Sequence, residues 1–320
     1  MKPTFKFRPI SFSWVALHPQ PKGVILFIGG AFFGTFPTLF YPYFFEKLFD
    51  EGYTIVAMPF RFGFRHWPIA ISLLKEQIDL REEMTRMADY LTRSGQEKYD
   101  AEIYKNPRKY FWIGHSLGCK YITLLEFFSG EKWEKTLTQC AKDKREGMLM
   151  RIEDSVNMIP LEERSIKGQP SLLIAPDISD TQSAIPKPLA FIAKFLDYKG
   201  WGVLPTNQQT KCFVEGSQLF QLTGLISFDK DTIAGNEKDK EGDVFWFIEQ
   251  LKSKNKKFPI LHKELKGKHL EPLGVQSGDY VVDYNPLDKF AEPISERQLE
   301  DVTIQFLDEL RQREEQLRSK

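Results

Sequence analysis

The residues best placed to do chemistry are Gly114-His115-Ser116-Leu117-Gly118, which follow the apolar run Tyr110-Phe111-Trp112-Ile113. A serine hydroxyl becomes a nucleophile when a neighbouring base takes its proton, and it must also face a substrate. Both needs are met when the serine sits on a sharp turn between a buried strand and a helix. Such a turn strains the backbone, and side chains two positions before and after the serine would collide. Gly114 and Gly118 remove those side chains. The bare pattern arises by chance on the order of once per ten chains of this length, so its context decides. Tyr110 to Ile113 read as a central strand, and Leu117, Tyr121, Leu124 and Leu125 recur at the spacing of a buried helix face.

A nucleophilic serine needs a base, and histidine has the proton affinity for that work near neutral pH. The chain has five: His18, His66, His115, His262 and His269. His18 precedes the core. His262 falls inside an expected strand and reads as structural. His115, within the turn itself, points away from the serine hydroxyl and is expected to pack. His269 lies in the loop Gly267-Lys268-His269-Leu270-Glu271-Pro272, after the last expected strand.

Composition narrows the classes. At 320 residues and 42% hydrophobic, the chain is expected to bury a sizeable core as one domain, 1–320, carrying insertions. Lys plus Arg equal Asp plus Glu at 44 each, so no net field recruits nucleic acid or an anionic membrane. Peripheral membrane contact and protein partners stay open. The 27 Phe are mostly core, with a surplus available for a lipophilic site. Cys119, Cys140 and Cys212 lack metal-ligand spacing and leave an odd thiol if two pair, so a reducing, cytoplasmic setting is expected. The run Gly29-Gly30-Ala31-Phe32-Phe33-Gly34 lacks Gly-x-Gly-x-x-Gly, and Gly34-Thr35 lacks a phosphate-binding Lys. No cofactor and no metal are called for. Met1 to Trp14 has no continuous apolar stretch of signal type, and no run approaches the ~18 residues of a membrane span.

The elements that must position these residues alternate between strand and helix. Lys6 to His18 reads as edge strands, Gly23 to Ile28 as a buried strand, Thr38 to Asp50 as an aromatic-rich helix, and Tyr53 to Pro59 as a strand. The loop Phe60 to Trp67 should hang over the strands' carboxyl ends, where Arg61, Arg65 and His66 are available to a polar head group. Ile71 to Leu91 marks a long amphipathic helix. After the serine helix, 130–168 is charged and helical in composition. Ser171 to Pro176 is a strand, and 177–222 is a candidate lid built on the apolar helix Leu189 to Leu196, an ordinary crossover helix being the alternative. Gly224 to Phe228 is a strand, Asp243 to Leu251 a helix and Phe258 to Leu265 the last strand. Ser295 and Gln298 suggest a capping box for a terminal helix. This alternation implies an α/β fold with a mostly parallel central sheet and helices on both faces.

At the serine turn the chain resembles the α/β-hydrolase superfamily. That resemblance implies the chain order Ser, then Asp or Glu, then His, each at the end of a strand. It implies Ser116 as nucleophile and His269 as base. Asp231, in Phe228-Asp229-Lys230-Asp231-Thr232-Ile233, resembles the position of the orienting acid best, with Asp229 as fallback. Gly29-Gly30 stands where the superfamily usually has His-Gly in its oxyanion loop. Ala31 is then a candidate N–H donor, Phe32 second, beside Leu117 after the serine. Phe27-Ile28-Gly29-Gly30-Ala31-Phe32, the serine turn and the Asp and His loops together look like an uncharacterised family of α/β-hydrolase-like proteins from cyanobacteria and plant chloroplasts. The likeness implies a phototroph's protein.

Two functions fit. One is a serine hydrolase acting on an ester or thioester with a lipophilic acyl or isoprenoid-like group. The other is a non-catalytic binding or assembly protein attached to the photosynthetic apparatus, with Phe32 and Phe33 filling the pocket.

Overall fold

The computed structural model describes residues 2–95, 97–141, 146–178, 202–217, 220–283 and 290–319. Gly23–Ile28, without one polar side chain, forms the fully buried strand β3. Its side chains alternate: Val24, Leu26 and Ile28 join one core cluster, Ile25 and Phe27 the other. That is the two-residue period of a strand covered on both faces. Tyr110–His115, strand β5, divides the same way, with Tyr110 and Trp112 on the first side and Phe111 and Ile113 on the second.

The remaining strands of this sheet are β1 (Arg8–Ile10), β2 (Ser13–Ala16), β4 (Tyr53–Ala57), β6 (Ser171–Ile174), β7 (Thr223–Phe228) and β8 (Leu261–Leu265). Their order is β1-β2-β4-β3-β5-β6-β7-β8. The β1–β2 and β2–β4 pairs are antiparallel, and every other pair is parallel. Parallel strands bring their carboxyl ends to one edge, so the loops after β3, β5, β7 and β8 share that edge.

Helices cover both faces. α3 (His66–Arg93), α4 (Leu117–Phe128), α8 (Asn207–Gly216) and α9 (Asp243–Lys254) supply Leu74, Leu124, Phe213 and Phe247 to the first cluster. α2 (Pro42–Asp50) and α10 (Leu299–Arg318) supply Phe44, Phe45 and Leu310 to the second. Burying one such side chain contributes about 1.5–3 kcal/mol. The Phe residues of α2 are therefore core, and they do not line a site.

Several expectations change. Thr38 to Asp50 is not one helix: α1 (Pro37–Phe40) stops, and α2 begins at Pro42. A residue before proline is pushed out of the helical region, and Tyr41 sits at φ −118°, ψ 25°. The capping box at Ser295 and Gln298 is absent: Ile294–Glu296 is a 3-10 turn, and α10 starts after Gln298 with no side-chain cap. A small sheet of β9 (Val275–Ser277), β10 (Tyr280–Val282) and β11 (Ala291–Pro293) follows β8 and has no counterpart in the sequence reading.

The stretch 130–168 forms α5 (Trp133–Cys140), α6 (Glu146–Asn157) and α7 (Leu161–Arg164). Of the candidate lid, 179–201 with Leu189 to Leu196 lies outside the described residues. Its later part is α8, whose Phe213 stacks on Phe127 of α4 at 4.5 Å, so that end belongs to the core. Cys140 of α5 and Cys212 of α8 form a disulfide across 72 residues, their Cα atoms 5.7 Å apart, and Cys119 is the free thiol. The argument from an odd thiol to a reducing compartment therefore fails: two helices distant in sequence pack side by side and bring the pair together. Among the described residues no helix is long and apolar enough to cross a membrane.

Among the glycines of the described residues the least room is at Gly118, where α4 lies against the end of β3. A Cβ on Gly118 would overlap the carbonyl oxygen of Ile28. Gly118→Ala should cost more than about 3 kcal/mol or prevent folding. Gly63→Ala, in open space, should stay within about 0.5 kcal/mol of the parent. Urea unfolding of the two variants checks the contrast.

Candidate active site

Ser116 has φ 54° and ψ −122°, a positive φ that a residue with a side chain adopts only when its surroundings hold it. They do. Its N–H donates to the Ile174 carbonyl at 3.0 Å, and its own carbonyl accepts from Cys119 N–H at 3.0 Å and Asp177 N–H at 3.4 Å. A Cβ on Gly114 would stand 2.8 Å from Cys119 N. The turn therefore needs both glycines and lifts the Ser116 hydroxyl off the end of β5.

The loops after β7 and β8 bring the other two groups. His269 Nε2 lies 2.7 Å from Ser116 Oγ, and His269 Nδ1 lies 2.7 Å from Asp231 Oδ2. All three residues are buried at the sheet edge. Asp231 is held from its other oxygen, where Oδ1 accepts from Ile233 N–H at 2.8 Å and Ala234 N–H at 3.0 Å. Asp229 does different work. Its Oδ1 accepts from Gly267 N–H at 2.9 Å, while Lys230 N–H donates to the Gly267 carbonyl at 3.0 Å. The acid loop is thus tied to the base loop at Gly267, whose φ of 139° suits glycine.

Two backbone N–H groups lie just past the ends of β5 and β3. Leu117 N–H is the first of α4 and has no partner within the helix. In the loop after β3, Gly30 N–H is taken by the Tyr41 hydroxyl at 2.8 Å, and the next N–H, that of Ala31, has no hydrogen-bond partner among the described residues. Phe32 follows it and is 60% exposed.

The other sequence candidates fall elsewhere. His262 Nε2 is 2.9 Å from Ser227 Oγ, a bond within the sheet. Arg61 and Arg65 are exposed. His66 is buried, donates its N–H to the Leu204 carbonyl, and leaves Nδ1 without a partner among the described residues. Burial pushes its imidazole down to about 2. His115, expected to pack, is fully buried, yet both ring nitrogens are bonded: Nδ1 to the Tyr41 hydroxyl and Nε2 to the His269 carbonyl, each at 2.8 Å. Burial first, and the neighbouring His269 second, push it down to about 3. Tyr41 and the role of His115 were missed because no local pattern marks either.

A family model described as "Protein of unknown function (DUF1350)" matches residues 6–140. No curated protein matches the chain. Among solved structures, Esterase B from Lactobacillus rhamnosis HN001 is similar at a TM-score of 0.54 and 12% identity, covering 96% of this chain and 83% of that one. The same esterase inhibited by a C4-C4 SN3 tributyrin phosphonate is similar at 0.53 and 11%, with the same coverage. At such identity the likeness speaks for the fold. The chain has the α/β-hydrolase fold, with a mostly parallel sheet flanked by helices.

Two predictions follow from the charges. In Asp231→Asn, Oδ1 must keep its two N–H donors, so the new amide presents N–H to His269 Nδ1 and forces the wrong tautomer. Covalent labelling of Ser116 by a fluorophosphonate should slow by about 10⁴-fold. Asp229→Asn keeps an acceptor for Gly267 and should stay within about tenfold, because one hydrogen bond of about 1 kcal/mol is at stake. The second concerns stability. His66 and His115 titrate near 2 and 3 when folded, against an ordinary 6.5. Below pH 6.5 the unfolded chain takes up protons that the folded one refuses, so stability falls with acid, by about 2 kcal/mol per histidine at pH 5. Glu126, pushed up to about 7 by burial, opposes this over the same range. The drop between pH 7 and pH 5 should shrink by about 2 kcal/mol in His66→Phe, as urea titrations at the two pH values would read.

Proposed function

We propose that this protein is a serine hydrolase of carboxylic esters or thioesters. The observation that carries the reading is the line of 2.7 Å contacts from Ser116 Oγ through His269 to Asp231 Oδ2. Ser116 Oγ–H donates to His269 Nε2, and Nδ1–H donates to Asp231. On attack, His269 takes the hydroxyl proton as the Oγ–carbonyl bond forms, and Asp231 stabilises the imidazolium. The same proton goes to the leaving alkoxide or thiolate, and a water then repeats the sequence to release the acid. The N–H groups of Leu117 and Ala31 stabilise the oxyanion, each donor being worth about 3 kcal/mol of barrier.

A lipophilic acyl or isoprenoid-like group fits the substrate best. Phe32, Phe36 and Leu39, in and just after the loop that carries Ala31, are 60%, 55% and 54% exposed and offer apolar surface on that side of the sheet edge. Phe32 is exposed and Phe33 packs partly buried against the core beside Phe40, which weighs against the pocket-filling argument for a purely binding protein. A phototroph as the source rests on the sequence resemblance.

A fluorophosphonate should label wild-type protein at Ser116 and leave Ser116→Ala unlabelled, by mass spectrometry of the intact chain. With p-nitrophenyl esters, kcat/KM should rise from acetate to octanoate by at least about tenfold, since each buried CH₂ contributes about 0.8 kcal/mol. Absence of labelling in folded protein would sink the hydrolase reading; a preference for acetate would sink the lipophilic one.

A further inference from the structure

We propose that His115 and Tyr41 are positioning residues: the neutral His115 ring, oriented by the Tyr41 hydroxyl, holds the peptide carbonyl of His269 and so sets the base opposite Ser116. The proposal deepens the hydrolase reading and rests on it.

The protons in this chain of contacts can be assigned from donor and acceptor chemistry alone. The His269 carbonyl only accepts, so the nitrogen 2.8 Å from it, His115 Nε2, carries a hydrogen. A neutral imidazole has one N–H, which makes His115 Nδ1 an acceptor. The ring is fully buried and held far towards its neutral form. The Tyr41 hydroxyl, 2.8 Å from Nδ1, must therefore donate its single hydrogen there. Its oxygen remains free to accept the Gly30 N–H at 2.8 Å. The result is one directed series: Gly30 N–H to Tyr41 oxygen, Tyr41 O–H to His115 Nδ1, His115 Nε2–H to the His269 carbonyl. No member can be reversed without setting two acceptors or two donors against each other.

Geometry gives the series its role. His115 is the residue before the nucleophile, so the turn that strains Ser116 also aims this ring. Gly30 precedes the oxyanion donor Ala31 directly. Hydrogen bonds to Asp229 and Lys230 anchor the base loop at Gly267. At His269 itself the backbone bond goes to His115. One series thus joins the oxyanion loop, the nucleophile turn and the base, over separations of 11, 74 and 154 residues. A Cβ on Gly30 would stand 3.2 Å from Ser116 Cβ and 3.3 Å from His115 Nδ1, so the three segments are in close contact.

The test uses the full chain and three variants. His115→Phe keeps a ring and deletes both bonds; His115→Gln restores an N–H near the Nε2 position; Tyr41→Phe removes one oxygen. With p-nitrophenyl octanoate, kcat in His115→Phe should fall about 100-fold with KM within about threefold, the pattern of a misplaced base. His115→Gln should recover at least about tenfold of it. ¹⁵N-histidine NMR should show His115 as the Nε2–H tautomer in wild type and displaced His269 ring signals in His115→Phe. Wild-type rates together with unmoved His269 signals overturn the proposal. If wild-type protein neither turns over nor takes a fluorophosphonate, the hydrolase reading fails, and positioning is decided by NMR alone: displaced signals support it, unmoved ones end it. If His115→Phe does not fold, Tyr41→Phe decides by the same two readouts, with a slowed kcat or a lost His115 tautomer in support and neither against.

Discussion

The structure depends on one close approach: the first turn of α4 lies directly against the end of β3, with no room at Gly118 for a single additional carbon. That contact forces the chain leaving β5 to reverse within one residue. Ser116 takes the strain at φ 54°, and three backbone hydrogen bonds hold it there. Everything at the site is referred to this turn. The sheet supplies the rigidity, since both faces of β3 and β5 are packed by apolar side chains and neither strand can shift to relieve the strain.

Around that turn, buried polar groups are satisfied by one another. Asp231 accepts three hydrogen bonds at zero side-chain exposure. His115 and Tyr41 do the same across the loops, one as a neutral imidazole, the other as a phenol that burial keeps protonated. Buried polar groups left unmatched cost more than matched ones contribute, so such a network favours a single arrangement of its loops. The fold places rigid backbone under Ser116, His269 and Asp231 and leaves Phe32, Phe36 and Leu39, in and after the loop that follows β3, exposed to solvent.

The departures from expectation share a cause. Pro42 divides the aromatic helix because of backbone sterics, and the break leaves Tyr41 at the corner, where its hydroxyl meets Gly30 and His115. Cys140 and Cys212 pair because α5 and α8 pack side by side. Asp229, the fallback for the acid, accepts from Gly267 N–H instead. Each outcome turns on which backbone N–H or which helix face arrives nearby.

What the residues alone determined is what is local. Apolar runs of strand length, helical spacing after Ser116 and the two glycines around it follow from sterics and solvent exclusion acting within a few neighbours, so β3, β5 and the strand–turn–helix at Ser116 were legible. Register and packing decided the rest. The bond between His269 and Asp231, the bonds of His115 to Tyr41 and to the His269 carbonyl, and the cysteine pairing join groups 38 to 154 residues apart. Hydrogen bonds reach about 3 Å and are directional, so only the three-dimensional meeting of the strand ends could select them.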